Sequence, residues 1–317
     1  MRLYRAYLAA LLCGLSAWAQ APHKLAIASK FRNEAPFLRE WIEYHRLMGV
    51  GHFWLYNDRS TDDWELILSP YVEKGIVDVF NWPKPVEEEN HCYSQVRAYQ
   101  DALCRALGIA EWVALIDIDE FLVPMRDDTV TACLDRHFSE ASAIYANWRM
   151  FGTGGRYVPF YTPFLTSLLS CSLASHSENC IGKTIVRPEC AIVETMWYVH
   201  HVQLKPGSAY FTGDGVAMKC ESGVDICTDG HHHGRFLRIN HYYFRDENFF
   251  QKVRLPDPRK PFGLKMEHYD AFSTQRDSRI VALIKKNPQA YQKIWRISEF
   301  FPELWVEDLN DHNVWPR

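Results

Sequence analysis

From Lys24 onward, apolar residues fall in short runs that alternate between strand-like and helix-like spacing. Lys24 to Ser29 predicts a short buried strand, Arg32-Asn33-Glu34 a polar turn, and Pro36 the opening of a helix. Phe37, Leu38, Trp41, Ile42, His45 and Met48 keep helical spacing up to Gly49 and Gly51, and the aromatic-rich His52 to Tyr56 predicts a second strand. After the polar loop Asn57 to Asp62, Trp64, Ile67, Leu68, Tyr71 and Val72 predict a helix that stops at Gly75, and the alternation from Ile76 to Trp82 predicts a third strand. Another helix is expected through Tyr93, Val96, Leu103 and Leu107, closed by Gly108. Trp112 to Ile116 is then wholly apolar and ends abruptly in Asp117-Ile118-Asp119-Glu120. Strands and helices in this order imply a parallel sheet, and a fully apolar strand belongs at its centre, covered on both faces.

Beyond residue 140 the pattern loosens. Strands are expected at Ala143 to Phe151, Lys183 to Arg187, Ala191 to Leu204 and Arg235 to Phe244, with a turn at Gly152-Thr153-Gly154-Gly155 and a cysteine-bearing loop from Ser170 to Cys180. Helices are expected at Asp246 to Leu255 and Arg279 to Ile297. The expected fold class is therefore α/β: a Rossmann-type, mostly parallel sheet flanked by helices, followed by a mixed region. It forms a single domain over residues 22–317, with halves at 22–125 and 140–260 and a helical segment at 265–317.

The amino terminus changes the picture of where this domain resides. A basic start at Arg2 and Arg5, an apolar run from Ala6 to Trp18 and small residues at Ala17, Ala19 and Ala21 are the order of a secretory signal peptide. The run is shorter than the roughly 20 residues of a comfortable membrane span. The expectation is a lumenal, extracytoplasmic or secreted chain, with an uncleaved signal anchor in the membrane as the alternative. Of the nine cysteines, Cys13 precedes the expected cleavage site, and local disulfides are expected for Cys171 with Cys180 and for Cys220 with Cys227. The net charge of −4 offers no basic field, so nucleic acid is not an expected partner. Aromatics make up 14% of the chain, which suits sugar stacking and core filling equally.

Ligands of open α/β sheets bind outside the carboxyl ends of the strands, which places Asn33, Glu34, Asp58 and the acidic run Asp117 to Glu120 on one rim. Asp117 and Asp119, on a turn leaving a buried strand, are suited to hold Mg²⁺ or Mn²⁺ through oxygen; a solvated acidic turn is the plainer reading. Asp58 is placed to accept hydrogen bonds from a nucleobase or ribose, or to belong to a capping cluster with Ser60 and Asp62. Arg32 and Asn33 can approach a diphosphate or simply form a polar turn. Lys183 and Arg187 can pair with phosphate or decorate a strand. His200 and His201 form a further pair at a strand end, and His231 to His233 reads as an exposed loop.

Ser29 to Glu34, Phe37-Leu38-x-Glu40-Trp41-Ile42-Glu43-Tyr44-His45, Tyr56-Asn57-Asp58, Ile116 to Phe121, Asn147-Trp148-x-x-Phe151-Gly152, Lys183-x-Ile185-x-Arg187-Pro188 and Ile239-Asn240-His241-Tyr242 together resemble glycosyltransferase family 92 and its family-2-like bacterial relatives. The resemblance runs from about residue 25 to residue 255. It implies a GT-A fold with residues 22–125 as the nucleotide-sugar-binding half and 140–260 as the acceptor-binding half. It also implies a nucleotide-diphosphate-sugar donor, with a UDP-sugar favoured, contacted by Arg32, Asn33, Asp58 and Asp117, and a metal at Asp117 and Asp119 with His241 as its late ligand. The expected reaction is transfer of a hexose, galactose favoured, to a glycan or glycoconjugate acceptor with inversion; a catalytically silent glycan- or partner-binding domain is the alternative. An inverting transfer needs a base, for which Glu194 and Asp214 stand as alternatives. The stretches from Thr162 to Cys180 and Gly207 to Gly234 depart from the family pattern, so they are expected to shape the acceptor side.

Overall fold

The computed structural model describes residues 21–82, 91–155, 164–218, 231–245, 249–251 and 273–287. Its first half alternates strand and helix: β1 His23–Phe31, α1 Ala35–Leu47, β2 His52–Asn57, α2 Trp64–Val72, β3 Val77–Asn81, α3 His91–Ala106 and β4 Ala110–Leu115. The order β3-β2-β1-β4 is parallel throughout, with Ile27 opposite both Phe53 and Ala114. Alternation along β1 explains the layering. Leu25 and Ile27 face a core built with Leu38, Trp41 and Ile42 of α1, whereas Ala26 and Ala28 face Val96, Tyr99 and Leu103 of α3. The small Ala26, Ala28, Ala98 and Ala102 let α3 lie close to the sheet.

The second half comprises β5 Glu120–Pro124, α4 Val130–His137, β6 Ala143–Gly152, α5 Phe164–Ser167, β7 Ser170–Cys171, β8 Gly182–Val186, β9 Tyr210–Thr212, β10 Leu237–His241, β11 Gln275–Arg276 and α6 Arg279–Lys285. β8 runs antiparallel to both β4 and β6, which extends the parallel half into a mixed, curled sheet. β6 belongs to two layers: its first residues pair with β8 and β9, whereas Trp148 to Met150 pair with β10, which in turn pairs antiparallel with β5. The chain thus leaves β4 in one sheet and enters β5 in another, and Asp117 to Asp119 form the passage between them. This is the α/β, GT-A-like arrangement expected from the sequence, with its mixed region built on β6.

β5 and α4 were not expected. The helix α4 begins at Thr129, whose hydroxyl accepts from the Ala132 amide at 3.1 Å. Ala191 to Leu204, expected as a strand, is a loop: it follows a 3₁₀ turn at Pro188–Cys190, contains another at Val193–Thr195, and is closed by a bridge between Ala191 and Leu204. Its buried residues Met196, Val199 and Val202 recur every third position, not every second, so one sheet face cannot receive them. Cys171 and Cys180 are not joined to each other. The intervening loop is held by Asn179, whose side chain bonds Ser172, the Leu173 carbonyl and the Met150 amide, and Cys171 is buried between β6 and β11. The signal segment, Cys220 and Cys227, the length expected to be helical from Asp246 to Leu255 apart from residues 249–251, and the continuation of α6 past residue 287 lie outside the described residues. No described helix is long and apolar enough to cross a membrane.

One polar arrangement fixes where β5 lies. Its edge opposite β10 meets α1: Trp41 Nε1 donates to the Glu120 carbonyl at 2.9 Å, Tyr44 Oη to the Leu122 carbonyl at 2.8 Å, and His45 Nε2 accepts from the Leu122 amide at 3.2 Å. His45 Nδ1 lies 2.9 Å from the Trp41 carbonyl, an acceptor, so Nδ1 carries the proton and the ring is neutral. Burial lowers its pKa from 6.5 to about 3. Because the folded value lies below the unfolded one, the contribution of His45 is complete above 6.5 and is lost as the pH falls toward about 3. Urea unfolding should therefore show stability falling across that window with a slope of up to about 1.4 kcal/mol per pH unit from this residue, and His45→Gln should remove that share of the slope.

Candidate active site

The site is built where β4 ends. Because β10 pairs antiparallel with β5, His241 stands opposite Glu120, and the Tyr242 amide donates to the Asp119 carbonyl at 2.8 Å. That register brings His241 Nε2 to 3.7 Å from Asp119 Oδ1, with both side chains almost fully buried. Arg245, at φ 54° and fully buried, lies 3.9 Å from Asp119 Oδ2 through Nη2 and is ion-paired with Glu34 at the start of α1. Its guanidinium lies 4.3 and 4.6 Å from the ring centroids of Phe37 and Phe249, which themselves meet edge to face.

Asp117 turns to different partners. Gln95 Nε2 donates to its Oδ1 at 2.6 Å, Tyr99 Oη lies 3.3 Å from the same oxygen, and Lys183 Nζ donates to Oδ2 at 2.9 Å. Lys183 is 2% exposed while the Asp117 side chain is 34% exposed, so the carboxylate is packed by protein on one side and open on the other. Burial opposes ionisation of Asp117, but the adjacent Lys183 ammonium outweighs it and holds the carboxyl well below its usual range. Glu120 has the opposite fate: burial, with Asp117 and Asp119 nearby, pushes its carboxyl well above the usual value against the pull of Lys183. Its Oε2 accepts the Asp117 amide at 3.0 Å, which pins the turn.

Lys183 reaches this position because Gly182 lets β8 approach β6. A Cβ on Gly182 would lie 2.2 Å from the Ala146 carbonyl oxygen. The Gly182 carbonyl also accepts from His200 Nδ1 at 2.8 Å, and His200, desolvated and near Lys183, has its pKa lowered from 6.5 to about 4. It is neutral at physiological pH, with its proton on Nδ1.

The residue types fit a divalent cation at Asp119 and His241. Their separation exceeds a hydrogen bond and suits two ligands of one ion with bonds of about 2.1 Å each. His241 Nδ1 is a buried nitrogen without a hydrogen-bond partner. Asp117, expected with Asp119 as a metal ligand, accepts hydrogen bonds from Gln95 and Lys183, and among the described residues no group of three His, Cys, Asp or Glu side chains converges as a metal cage.

The other expected residues lie apart from this pair. Asp58 is buried, paired with Lys30 Nζ at 2.8 Å and Arg59 Nε at 3.0 Å, so its oxygens are occupied by the protein's own cations. Asn33 lies at φ 54°, its amide donating to Ser60 Oγ and its Oδ1 accepting from the Thr61 amide, which ties the first two loops together. Arg32 is exposed beside it. Glu194 is exposed on the 3₁₀ turn Val193–Thr195. Asp214 accepts from His233 Nδ1 at 3.0 Å and from the Arg235 amide at 2.7 Å, near the start of β10, whereas His241 is at its end. Gln95, Tyr99 and Arg245 were missed by the sequence reading. Gln95 and Tyr99 stand one helical turn apart on α3, a spacing that was readable, but Arg245 is a single cation beyond β10 with no pattern of its own.

An acidic turn at the carboxyl end of a central parallel strand, faced by a buried histidine, lies where open α/β sheets bind their ligands. The chain matches the sequence model of glycosyltransferase family 92 over residues 26–256, and it belongs to that family. It is 31% identical over 206 residues to a family 92 protein of Oryza sativa subsp. japonica, covering 63% of this chain and 33% of that one. A galactan β-1,4-galactosyltransferase of Arabidopsis thaliana is 32% identical over 93 residues, 28% of this chain and 18% of that protein. The chain spans about a third of the length of the family 92 relatives it matches. Among solved structures, S. aureus TarS 1–349 in complex with UDP-GlcNAc is 14% identical over 90% of this chain and 77% of that one, with a TM-score of 0.35.

Replacing Lys183 by Met leaves Asp117 without its buried cation. Losing one partner of a fully buried pair costs roughly 3–5 kcal/mol; with Asp117 partly open, a loss of about 2–3 kcal/mol is expected, read from urea unfolding at neutral pH.

Proposed function

We propose that this chain is a metal-assisted hexosyltransferase that moves galactose from a UDP-sugar to a glycan acceptor with inversion. The observation that carries the proposal is the approach of Asp119 and His241 at the carboxyl end of the central parallel strand. Family membership over residues 26–256 supports transfer chemistry, and the galactan β-1,4-galactosyltransferases among the relatives support galactose. Asp119 and His241 hold Mn²⁺ or Mg²⁺, which when bound supplies Lewis-acid charge toward the leaving diphosphate. Asp117, kept ionised by Lys183 and open on one side, accepts a hydrogen bond from the donor's ribose. Arg32, Asn33 and Asp58 form the outer edge of the donor site, with Asn33 and Asp58 shaping its loops and Arg32 free of the sheet to meet phosphate. Of the two alternatives for the base, Glu194 is assigned over Asp214, because Asp214 is already bonded to His233 and Arg235 while the Glu194 carboxylate is exposed. The amino-terminal segment directs the chain into the secretory pathway.

Calorimetric titration with uridine diphosphate tests the donor site. Binding should require Mn²⁺, and Asp119→Ala or His241→Ala should each weaken it by roughly 10- to 100-fold or more. Metal-independent binding, or full affinity in both variants, rejects the assignment. Glu194→Gln should keep uridine diphosphate affinity and lose about 100-fold or more of the transfer rate.

A further inference from the structure

A chain of rings leads from the Asp119–His241 pair to the surface. His241 packs on Trp148 with centroids 4.4 Å apart, Trp148 meets the edge of His200 at 5.4 Å, and His200 meets Tyr198 at 4.9 Å. Tyr198 in turn stacks with Trp197 at 5.5 Å, their planes 26° apart. Trp197 is 60% exposed and Tyr198 37%, while the residues on either side, Met196 and Val199, are buried.

The exposure follows from how the loop is held. Gln100 Nε2, on α3, donates to the Val193 and Met196 carbonyls at 2.9 and 3.3 Å. The Ile192 amide donates to the Gln203 carbonyl at 2.8 Å, Thr184 Oγ1 to the His200 carbonyl at 2.9 Å, and the Val202 amide to Tyr210 Oη at 2.9 Å. With both ends and the inward residues fixed, Trp197 and Tyr198 cannot fold back into the core. A stacked Trp–Tyr pair left in water forgoes stabilisation that an apposed apolar surface would restore. The same helix that presents Gln95 and Tyr99 to Asp117 anchors this loop through Gln100, so donor side and platform share one rigid support.

We propose that Trp197 and Tyr198 form the acceptor platform, on which the CH face of a galacto-configured hexopyranose stacks. The proposal rests on the transferase reading above and adds the acceptor's chemical class. An aromatic plane binds an uncharged sugar through its apolar face. In galactose the axial hydroxyl at C4 leaves the hydrogens of C3, C4 and C5 together on one side, a patch matched to one ring. Gluco-configured residues distribute these hydrogens over both faces. His200, neutral and with its proton committed to the Gly182 carbonyl, offers its remaining ring nitrogen as an acceptor beside the platform.

The test uses the full chain with uridine diphosphate and Mn²⁺, and a β-1,4-linked galactotetraose as probe in saturation-transfer NMR. Saturation should concentrate on the C3, C4 and C5 hydrogens, vanish in Trp197→Ala, weaken in Tyr198→Ala and persist in Trp197→Phe. The acceptor KM should rise roughly tenfold in Trp197→Ala, the equivalent of about 1.4 kcal/mol, with uridine diphosphate affinity unchanged. Unchanged saturation in Trp197→Ala overturns the platform, and equal saturation of a cellotetraose overturns its galacto preference. Sedimentation of a wild-type dimer that Trp197→Ala converts to monomer assigns the platform to a second copy and also overturns it. Galactotetraose saturation at Trp197 in a protein that binds no uridine diphosphate keeps the sugar platform and removes the transferase reading.

Discussion

The site depends on how β5 is held. A strand that follows an acidic turn has two edges to satisfy, and here β10 takes one while Trp41, Tyr44 and His45 of α1 take the other. Buried backbone groups tolerate no vacancy, so β5 can neither slide along β10 nor peel from α1. Asp119 is the residue before this strand, and its side chain inherits the strand's rigidity. The same register sets His241 opposite Glu120, and placing a histidine beside Asp119 needs nothing further.

Around that frame, charge is arranged by burial. Lys183, Asp117 and Glu120 lie within one enclosure, and the three groups divide the available charge: Lys183 remains cationic, Asp117 anionic, and Glu120 holds its proton more tightly than an exposed carboxyl. A second set, Glu34, Arg245 and Asp119, joins the start of α1 to the end of β10. Each half of the D-x-D turn is therefore complemented by its own cation, and the two carboxylates are electrostatically distinct although they are only two residues apart.

Much of the first half was legible in the sequence because its signals are periodic. β1 to β4 and their helices follow two spacings, and the wholly apolar Trp112 to Ile116 announced a central strand with the acidic run at its carboxyl end. β5 was hidden because Phe121-Leu122-Val123 reads as a continuation of the same apolar stretch beyond a charged turn. Ala191 to Leu204 misled because it is apolar enough for a strand, yet its buried residues recur in threes. Of the site itself, the sequence supplied Asp117, Asp119 and His241 by motif and resemblance. It did not supply the partition of Asp117 toward Lys183 and Gln95, because that is set by contacts between residues far apart in the chain.

β6 serves two layers at once, pairing with β8 and β9 near its start and with β10 toward its end. The segments that depart from the family pattern lie between β6 and β8 or between β8 and β10, the latter including β9, and none interrupts the passage from β4 to β5. Lengthening or exchanging those segments alters what surrounds the acidic turn while leaving its backbone support intact. The architecture thus separates a replaceable periphery from a fixed frame: segments beside β6 can change in length or sequence without loosening the scaffold that holds the acidic turn.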